Sequence, residues 1–484
     1  MSDTTTHERR WLILALIGVA QLMVVLDATI TNIALPSAQH ALGFSDDQRQ
    51  WVVTGYALAF GSLLLLGGRI GDLFGRKWVF IGGLSGFALA SAVGGMAQSF
   101  EVLVGARALQ GLFAALLAPA GLSLLTTTFT DRAERGRAFA IYGAIAGGGG
   151  AIGLLLGGVL TEYLTWRWCL YVNLLFAVPA AIAGMRLLTH QPRTATARLD
   201  IPGTLTASAG VFSLVFGFSR AETAGWSAPI TIGFITAGVA LLTAFVLIER
   251  RSAHPLLPLR VVLDRNRGGS YLALGMAGSG MFGVFLFLTY YLQQSLGFSP
   301  VTTGLAFLPM VGALSVAAMT AQTQLLPRTG PKPLITTGML LAAGGMMLLA
   351  QVGIDSTYVA DVLPGLLLVG AGLGFAMATA MSNATLGVAP ADAGVASAMV
   401  NTSQQVGGSI GTALLSTISA SAVTGFMAGK PGTPGVAAQA AVHGYTTAFW
   451  VASGIFALGA VVCGLLLRPG VPEFDPAAAP IMAH

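Results

Sequence analysis

Apolar residues fall along this chain in long runs broken by short polar stretches, near 11–35, 50–68, 78–97, 100–126, 137–160, 166–188, 201–219, 229–248, 269–294, 300–323, 332–353, 360–384, 395–423 and 443–467. A helix needs about 20 mainly apolar residues to cross a bilayer's hydrocarbon, so each of the fourteen runs predicts a transmembrane α-helix. The expected fold class is all-α and polytopic. Two breaks are longer than the rest, 189–200 (THQPRTATARLD) and 249–268 (ERRSAHPLLPLRVVLDRNRG), and they bracket the seventh and eighth runs. The spans therefore group as six, two and six: a bundle over 1–190, a linker with two extra helices over 191–268, a second bundle over 269–470 and a cytosolic tail over 471–484.

The polar break Gly68–Lys77 (GRIGDLFGRK) is a glycine-punctuated, charged turn, and Thr323–Lys332 (TQLLPRTGPK) is a degraded copy of it in which Gly330 aligns with Gly75 and Pro327 replaces Asp72. An internal repeat of this kind predicts two similar halves about an axis along the membrane normal, with a site between them at mid-depth, as in transporters.

Charge tests the segmentation. With the N-terminus in the cytosol, nineteen of the 24 Lys and Arg fall in cytosolic segments, four (Arg49, Arg167, Arg220 and Lys430) fall outside, and Arg107 falls within a span. This asymmetry fits the positive-inside rule and places both termini in the cytosol. The net charge of +5 then reflects orientation and attraction to anionic lipid, not nucleic acid. Composition agrees: 55% of residues are hydrophobic and 9% charged, against roughly 25% charged in soluble domains. The first run lacks a small-residue cleavage site and is read as a retained span. Cys169 and Cys463, far apart in sequence, read as packing residues with no redox or metal role. The six histidines are dispersed over loops, tails and helix ends, so neither a metal site nor the clustered acid, base and nucleophile of a membrane-embedded enzyme is expected.

Few polar residues lie within the runs, and each needs a reason, because a carboxylate at bilayer depth costs about 2.5–3.5 kcal/mol on insertion scales. Asp27 sits mid-span in LDATITNIALP, with Thr31 and Asn32 one turn on. It reads as a protonation site, since burial disfavours the charged form; the alternative is a structural carboxylate bonded to a neighbouring helix. Arg107 shares a face with Gln110 and Gly111 in ARALQGLFAA. A fixed cation of this kind could favour a nearby ionised carboxylate in one conformation and release it in another, or it could be a structural bridge. Gly149, Gly153, Gly157 and Gly158 form a smooth stripe for helix packing in the fifth run, as do Gly407 and Gly411 in NTSQQVGGSIG. Asn401, Gln404 and Gln405 beside them read as helix-to-helix hydrogen-bonding groups or as cavity groups. Tyr290, Tyr291 and Gln293 at the end of the ninth run, and Tyr56 in the second, read as an interfacial belt or as substrate contacts.

Together these segments resemble the major facilitator superfamily, and within it the fourteen-span drug:proton antiporter branch. LDATITNIALP is similar to that branch's first-helix motif, GRIGDLFGRK to the superfamily's signature between the second and third helices, and Arg107 with Gln110 and Gly111 to the fourth-helix proton-coupling motif. WRWCLYVN (Trp166–Asn173), YLQQSLGFSP (Tyr291–Pro300) and Asn401–Gly411 add branch features. Two positions depart from the pattern. Leu154 follows Gly153 where the export-associated motif usually has proline, and Leu175 stands where a proline usually follows the asparagine.

The resemblance implies a proton-coupled exporter of hydrophobic or amphipathic molecules such as drugs or antibiotics, working by rocker-switch alternating access in a bacterial plasma membrane. It implies Asp27 and Arg107 as the coupling pair. Gly68, Asp72, Gly75, Arg76 and Lys77 would form the cytosolic gate, with an Asp72–Arg76 latch. Thr31, Asn32, Tyr56, Gln110, Tyr290, Tyr291, Gln293, Asn401, Gln404 and Gln405 would line the substrate cavity. Protons are the coupling ion and no cofactor is expected; the partners are a small hydrophobic substrate and membrane lipid, and the expected state is a monomer. A transporter of one specific metabolite is the alternative. One charge crossing about 150 mV releases roughly 3.5 kcal/mol, enough for a substrate gradient of a few hundred-fold at about 1.4 kcal/mol per decade. Asp355 and Asp361 lie only at the edges of the eleventh and twelfth runs, so the interior of the second bundle reads as uncharged and suited to neutral or monovalent substrates over dications.

Overall fold

The computed structural model describes residues 2–45, 48–129, 132–189, 200–252, 255–388, 392–428 and 435–471. The linker stretch 190–199, Lys430, the tail 472–484 and the side chain of Asp72 lie outside the described residues. The described chain is helical throughout, in long elements: α1 (Ser2–Leu42), α2 (Gln50–Phe74), α3 (Arg76–Gly95), α4 (Phe100–Thr128), α5 (Arg132–Tyr163), α6 (Trp168–Leu187), α7 (Ile201–Ala224), α8 (Pro229–Arg251), α9 (Arg265–Ser295), α10 (Pro300–Thr329), α11 (Pro331–Leu349), α12 (Tyr358–Thr385), α13 (Ala393–Met427) and α14 (Val436–Leu466). Among the described residues, twelve helices are long and apolar enough to cross a membrane. The two long helices outside that set are α2, whose Gln50–Leu64 stretch is a shorter apolar helix, and α5.

The helix ends follow from local chemistry. Asp200, Asp264 and Ser299 accept the backbone N–H three residues on and so cap α7, α9 and α10. Gly75 (φ 91°) joins α2 to α3 and Gly330 (φ 76°) joins α10 to α11. Both hold a backbone conformation that side chains disfavour, so the two copies of the turn motif share the feature that makes the turn. Interior prolines at Pro36, Pro119, Pro179 and Pro309 are tolerated because neighbouring helices can satisfy the freed carbonyls. The end of α9 is loosened into π-helical turns at Val284–Leu288 and Tyr291–Ser295, a deviation often found at functional positions.

Helices α1–α6 pack as one bundle and α9–α14 as a second, meeting along two seams, α2 against α13 and α5 against α10. Helix α7 lies in the first seam, against both α2 and α13, and α8 packs on α7. Successive helices alternate in direction, which gives the assembly a near end, carrying the start of α1 and the end of α14, and a far end. Lys77 Nζ at the start of α3 donates to Met185 O and Leu188 O at the end of α6 on the near side, whereas Arg167 donates to Gly95 O and Ala97 O on the far side.

Glycines set the closest approaches. A Cβ on Gly153 would meet Thr29 and the Leu26 backbone, and one on Gly157 would lie 2.9 Å from Ile30 Cγ1, so this stripe seats α5 on α1. Gly158 faces Pro300 and Val301 across the second seam, while Gly407 and Gly411 seat α13 on Gly275 and Ser279 of α9. Buried Cys169 and Cys463 are both free thiols.

The connector from α8 to α9 also has a defined seat. Glu249, 4% exposed, accepts from Leu256 N (3.3 Å) and Leu257 N (3.0 Å). The two leucines pack with Ala207 and Phe245 against Val395 and Met399 of α13. Arg69, in the turn motif, donates to Pro255 O, and Arg260 pairs with Asp392. The connector thus touches both bundles at the near end.

Candidate coupling site

Halfway along α1, the Asp27 carboxylate is fully buried. Its Oδ2 accepts from Arg107 Nη1 at 2.5 Å, and its Oδ1 accepts from Asn173 Nδ2 at 2.7 Å and Gln110 Nε2 at 3.0 Å. A buried carboxylate needs this number of donors, because an uncompensated charge in a low-dielectric interior costs several kcal/mol.

Arg107 is equally enclosed, with its side chain 3% exposed. Besides Asp27, its Nη1 donates to Gln110 Oε1 (2.9 Å) and its Nε to Val52 O (3.2 Å), and its guanidinium lies 4.6 Å from the centre of the Tyr56 ring. Gln110 also donates to Ser91 Oγ at 2.8 Å. Gly111 permits this closeness, since a Cβ there would collide with Tyr56 O and Phe60 N of α2. The cluster draws one or two groups each from α1, α2, α3, α4 and α6, all in the first bundle. Sequence separations of 80, 83 and 146 residues divide Asp27 from its three partners.

The ion pair with two flanking amides is a charge-assisted network that one proton could reorganise. Protonating Asp27 would remove the counter-charge of Arg107 and turn an acceptor into a donor.

The remaining expected residues sort by depth. Thr31 Oγ1 and Asn32 Nδ2 donate back to Asp27 O and Ala28 O within α1 (2.8 Å each), which leaves them beside the network without joining it. Gly68, Gly75, Arg76 and Lys77 stand at the near-end junction of α2 and α3, where Lys77 is bound to carbonyls of α6. Tyr290 and Gln293 are at the far end, bonded to Gln39 Oε1 (2.6 Å) and Ile33 O (3.1 Å) of α1. Tyr291 turns into the second bundle and donates to Gly353 O (2.7 Å). Both tyrosines are fully buried, away from the lipid-facing belt. Asn401 bonds to Ser397 O of its own helix; Gln404 and Gln405 are half-buried on α13, with Gly61 of α2 opposite Gln405. Helix α1 therefore carries Asp27 and, six residues on at about 1.5 Å per residue, the Ile33 carbonyl that touches the other bundle. A third cross-bundle bond at this end runs from Val301 N to Glu162 Oε2 at 3.0 Å.

Asn173, Ser91 and the Val52 carbonyl are members of the network that the sequence reading did not assign to the site. Asn173 had a visible signal, as a lone amide in the apolar sixth run; Ser91 and a main-chain oxygen had none.

The profile described as Major Facilitator Superfamily matches residues 17–412. The chain is 51% identical over 462 residues to a puromycin resistance protein of Streptomyces alboniger, covering 95% of this chain and 92% of that one. It is 37% identical over 474 residues to a cephamycin export protein of Amycolatopsis lactamdurans, with 97% and 94% covered, and 32% identical over 418 residues to a multidrug efflux pump of Mycolicibacterium smegmatis, with 86% and 82% covered. Among solved structures, an auto-inhibited POT family peptide transporter superposes with a TM-score of 0.68 at 15% identity, covering 95% of this chain and 96% of that one.

Proposed function

Since the chain belongs to the Major Facilitator Superfamily, we propose that this multi-pass membrane transporter is a proton-coupled exporter of amphipathic drug-like molecules, antibiotics among them. The observation that carries the reading is the Asp27–Arg107 pair, enclosed on all sides and flanked by Gln110 and Asn173. Packing alone gives little reason to keep such a pair, because well-packed apolar residues of similar volume are often as stabilising. A group that must gain and lose a proton gives one. Relatives named for puromycin resistance, cephamycin export and multidrug efflux support export and the substrate class.

In this proposal a proton taken up by Asp27 frees Arg107, and α1 shifts against α4 and α6. Because α1 also supplies Ile33 O and Gln39 to the far-end contacts, the shift reaches the boundary between the bundles. Substrate leaves through the open far end, and Asp27 takes its proton from that side. The shift closes the far end and opens the near end, and release of the proton there restores the pair, so that the proton moves inward as the substrate moves outward. The proposal includes fourteen spans arranged as six, two and six, with α2 and α5 counted among them. It also includes cytosolic termini, a bacterial plasma membrane and a working monomer that needs no cofactor beyond the proton.

Everted vesicles test the coupling. Asp27→Asn should insert normally and still let substrate equilibrate downhill, but lose accumulation driven by an imposed proton gradient. Undiminished gradient-driven accumulation in Asp27→Asn, or wild-type accumulation indifferent to an uncoupler, refutes it.

A further inference from the structure

At the far end a cation from the first bundle lies in an aromatic box built by the second. The guanidinium carbon of Arg49, at the start of α2, is 4.1 Å from the ring centre of Tyr290 on α9 and 5.7 Å from that of Tyr445 on α14. Both distances are within the ~6 Å over which a ring face attracts a positive charge. The box is held in shape by its neighbours. Tyr290 OH donates to Gln39 Oε1, Tyr445 OH donates to Gln294 Oε1 at 3.2 Å, and the Tyr445 ring lies 6.3 Å from that of Phe287. Arg49 is 7% exposed, Tyr290 0% and Tyr445 3%, so the cation and both rings are taken out of water together, the condition in which such contacts are strongest.

The geometry has a directional consequence. Both rings belong to α9 and α14 and travel with the second bundle, while the charge travels with the first. Tilting the bundles apart at the far end withdraws Arg49 and Gln39, and leaves the Tyr445 ring, held by Phe287 and Gln294, and the Tyr290 ring beside it on the second bundle facing the gap.

We propose that Tyr290 and Tyr445, with Gln294, form a subsite for the positively charged group of a monocationic amphipathic compound when the far end is open. In this proposal Arg49 is a built-in competitor that refills the box on closure and drives the compound out. It rests on the exporter reading and deepens it by naming a ligand charge and the residues that meet it. One charge is what the box accommodates. Among the described residues, the buried acid of the second bundle is Asp392, which Arg260 already pairs at the near end, so a second positive charge finds no anchor there. Gln50 and Thr289, next in sequence to Arg49 and Tyr290, are buried with side-chain polar atoms that have no partner in the protein. They leave hydrogen-bonding capacity at this level for a polar group on the ligand.

The test is equilibrium binding to the purified full chain in lipid nanodiscs, with radiolabelled tetraphenylphosphonium as the monocationic probe and neutral N-phenyl-1-naphthylamine as the control. Arg49→Gln should tighten the phosphonium about five- to thirty-fold while moving the neutral probe less than about twofold. In that background Tyr290→Leu should abolish the gain, and Tyr290→Phe, which keeps the ring and loses the bond to Gln39, should retain it. With Arg49 intact, Tyr445→Leu should weaken the phosphonium selectively, which keeps the proposal testable if Arg49→Gln does not fold. An unchanged or weakened phosphonium affinity in Arg49→Gln overturns the subsite. Equal tightening of both probes, or equal loss in the Phe and Leu variants, does the same. Binding needs no gradient, so this measurement can fail while proton-driven efflux persists, and the reverse.

Discussion

Replacing Arg107 by Gln leaves the Asp27 carboxylate buried with two amide donors and no counter-charge. Breaking a buried pair from one side typically costs 3–5 kcal/mol, because the partner's desolvation is no longer offset. Four contacts are lost at once: the 2.5 Å bond to Asp27, the 2.9 Å bond to Gln110 Oε1, the 3.2 Å bond to Val52 O and the packing of the guanidinium on Tyr56. Asp27→Asn likewise leaves the buried Arg107 cation without a counter-charge, although an amide oxygen still accepts from it, and should also cost about 3–5 kcal/mol. The double variant Asp27→Asn with Arg107→Gln contains only neutral amides that can bond to each other and to Gln110 and Asn173. It should be more stable than Arg107→Gln alone, and its loss should fall short of the summed single losses by about 2 kcal/mol, within the usual range for groups in one network. The assay is unfolding of the purified protein in mixed micelles by titrated dodecyl sulfate, followed by circular dichroism at constant neutral pH. Losses that add to within about 0.5 kcal/mol would mean that Asp27 and Arg107 are not energetically one unit, and the coupling argument built on them would fail.

Gly153→Val should destabilise the α1–α5 contact by about 1–3 kcal/mol, as the new Cβ meets Thr29 and comes 3.1 Å from Leu26 O, whereas Gly148→Ala, with nothing within 4 Å, should be neutral; the same micellar unfolding reads both, and equal effects would contradict the packing. Glu249→Ala removes the acceptor for Leu256 N and Leu257 N at about 1–3 kcal/mol per orphaned donor, so limited trypsinolysis at Arg250, Arg251 and Arg260 should accelerate, and an unchanged digestion pattern would show that the connector is seated by other contacts. In vesicle efflux, ethidium should be preferred to its dicationic analogue propidium, because Asp355 and Asp361 are exposed at the far end and Asp392 is already paired; a preference for propidium would overturn that expectation.

Much of this architecture is local and therefore readable along the chain. An apolar run long enough to span hydrocarbon must close its own backbone hydrogen bonds, so the helices were legible from the order of the residues. The turn at Gly75 and its copy at Gly330 were legible because only a few residue types tolerate a positive φ. Asp27 and Arg107 stood out because charges are expensive at that depth. Partnership was not local. That Asn173 and Ser91 complete the network, that the whole network stays within the first bundle, and that Arg49 is buried against Tyr290 and Tyr445 instead of lying in an exposed loop, were decided when helices far apart in sequence came together. Hydropathy reports how much each residue resists or accepts the membrane interior. Which group satisfies a buried charge depends on distances of a few ångströms between helices, and those are fixed only by the packing of the whole bundle.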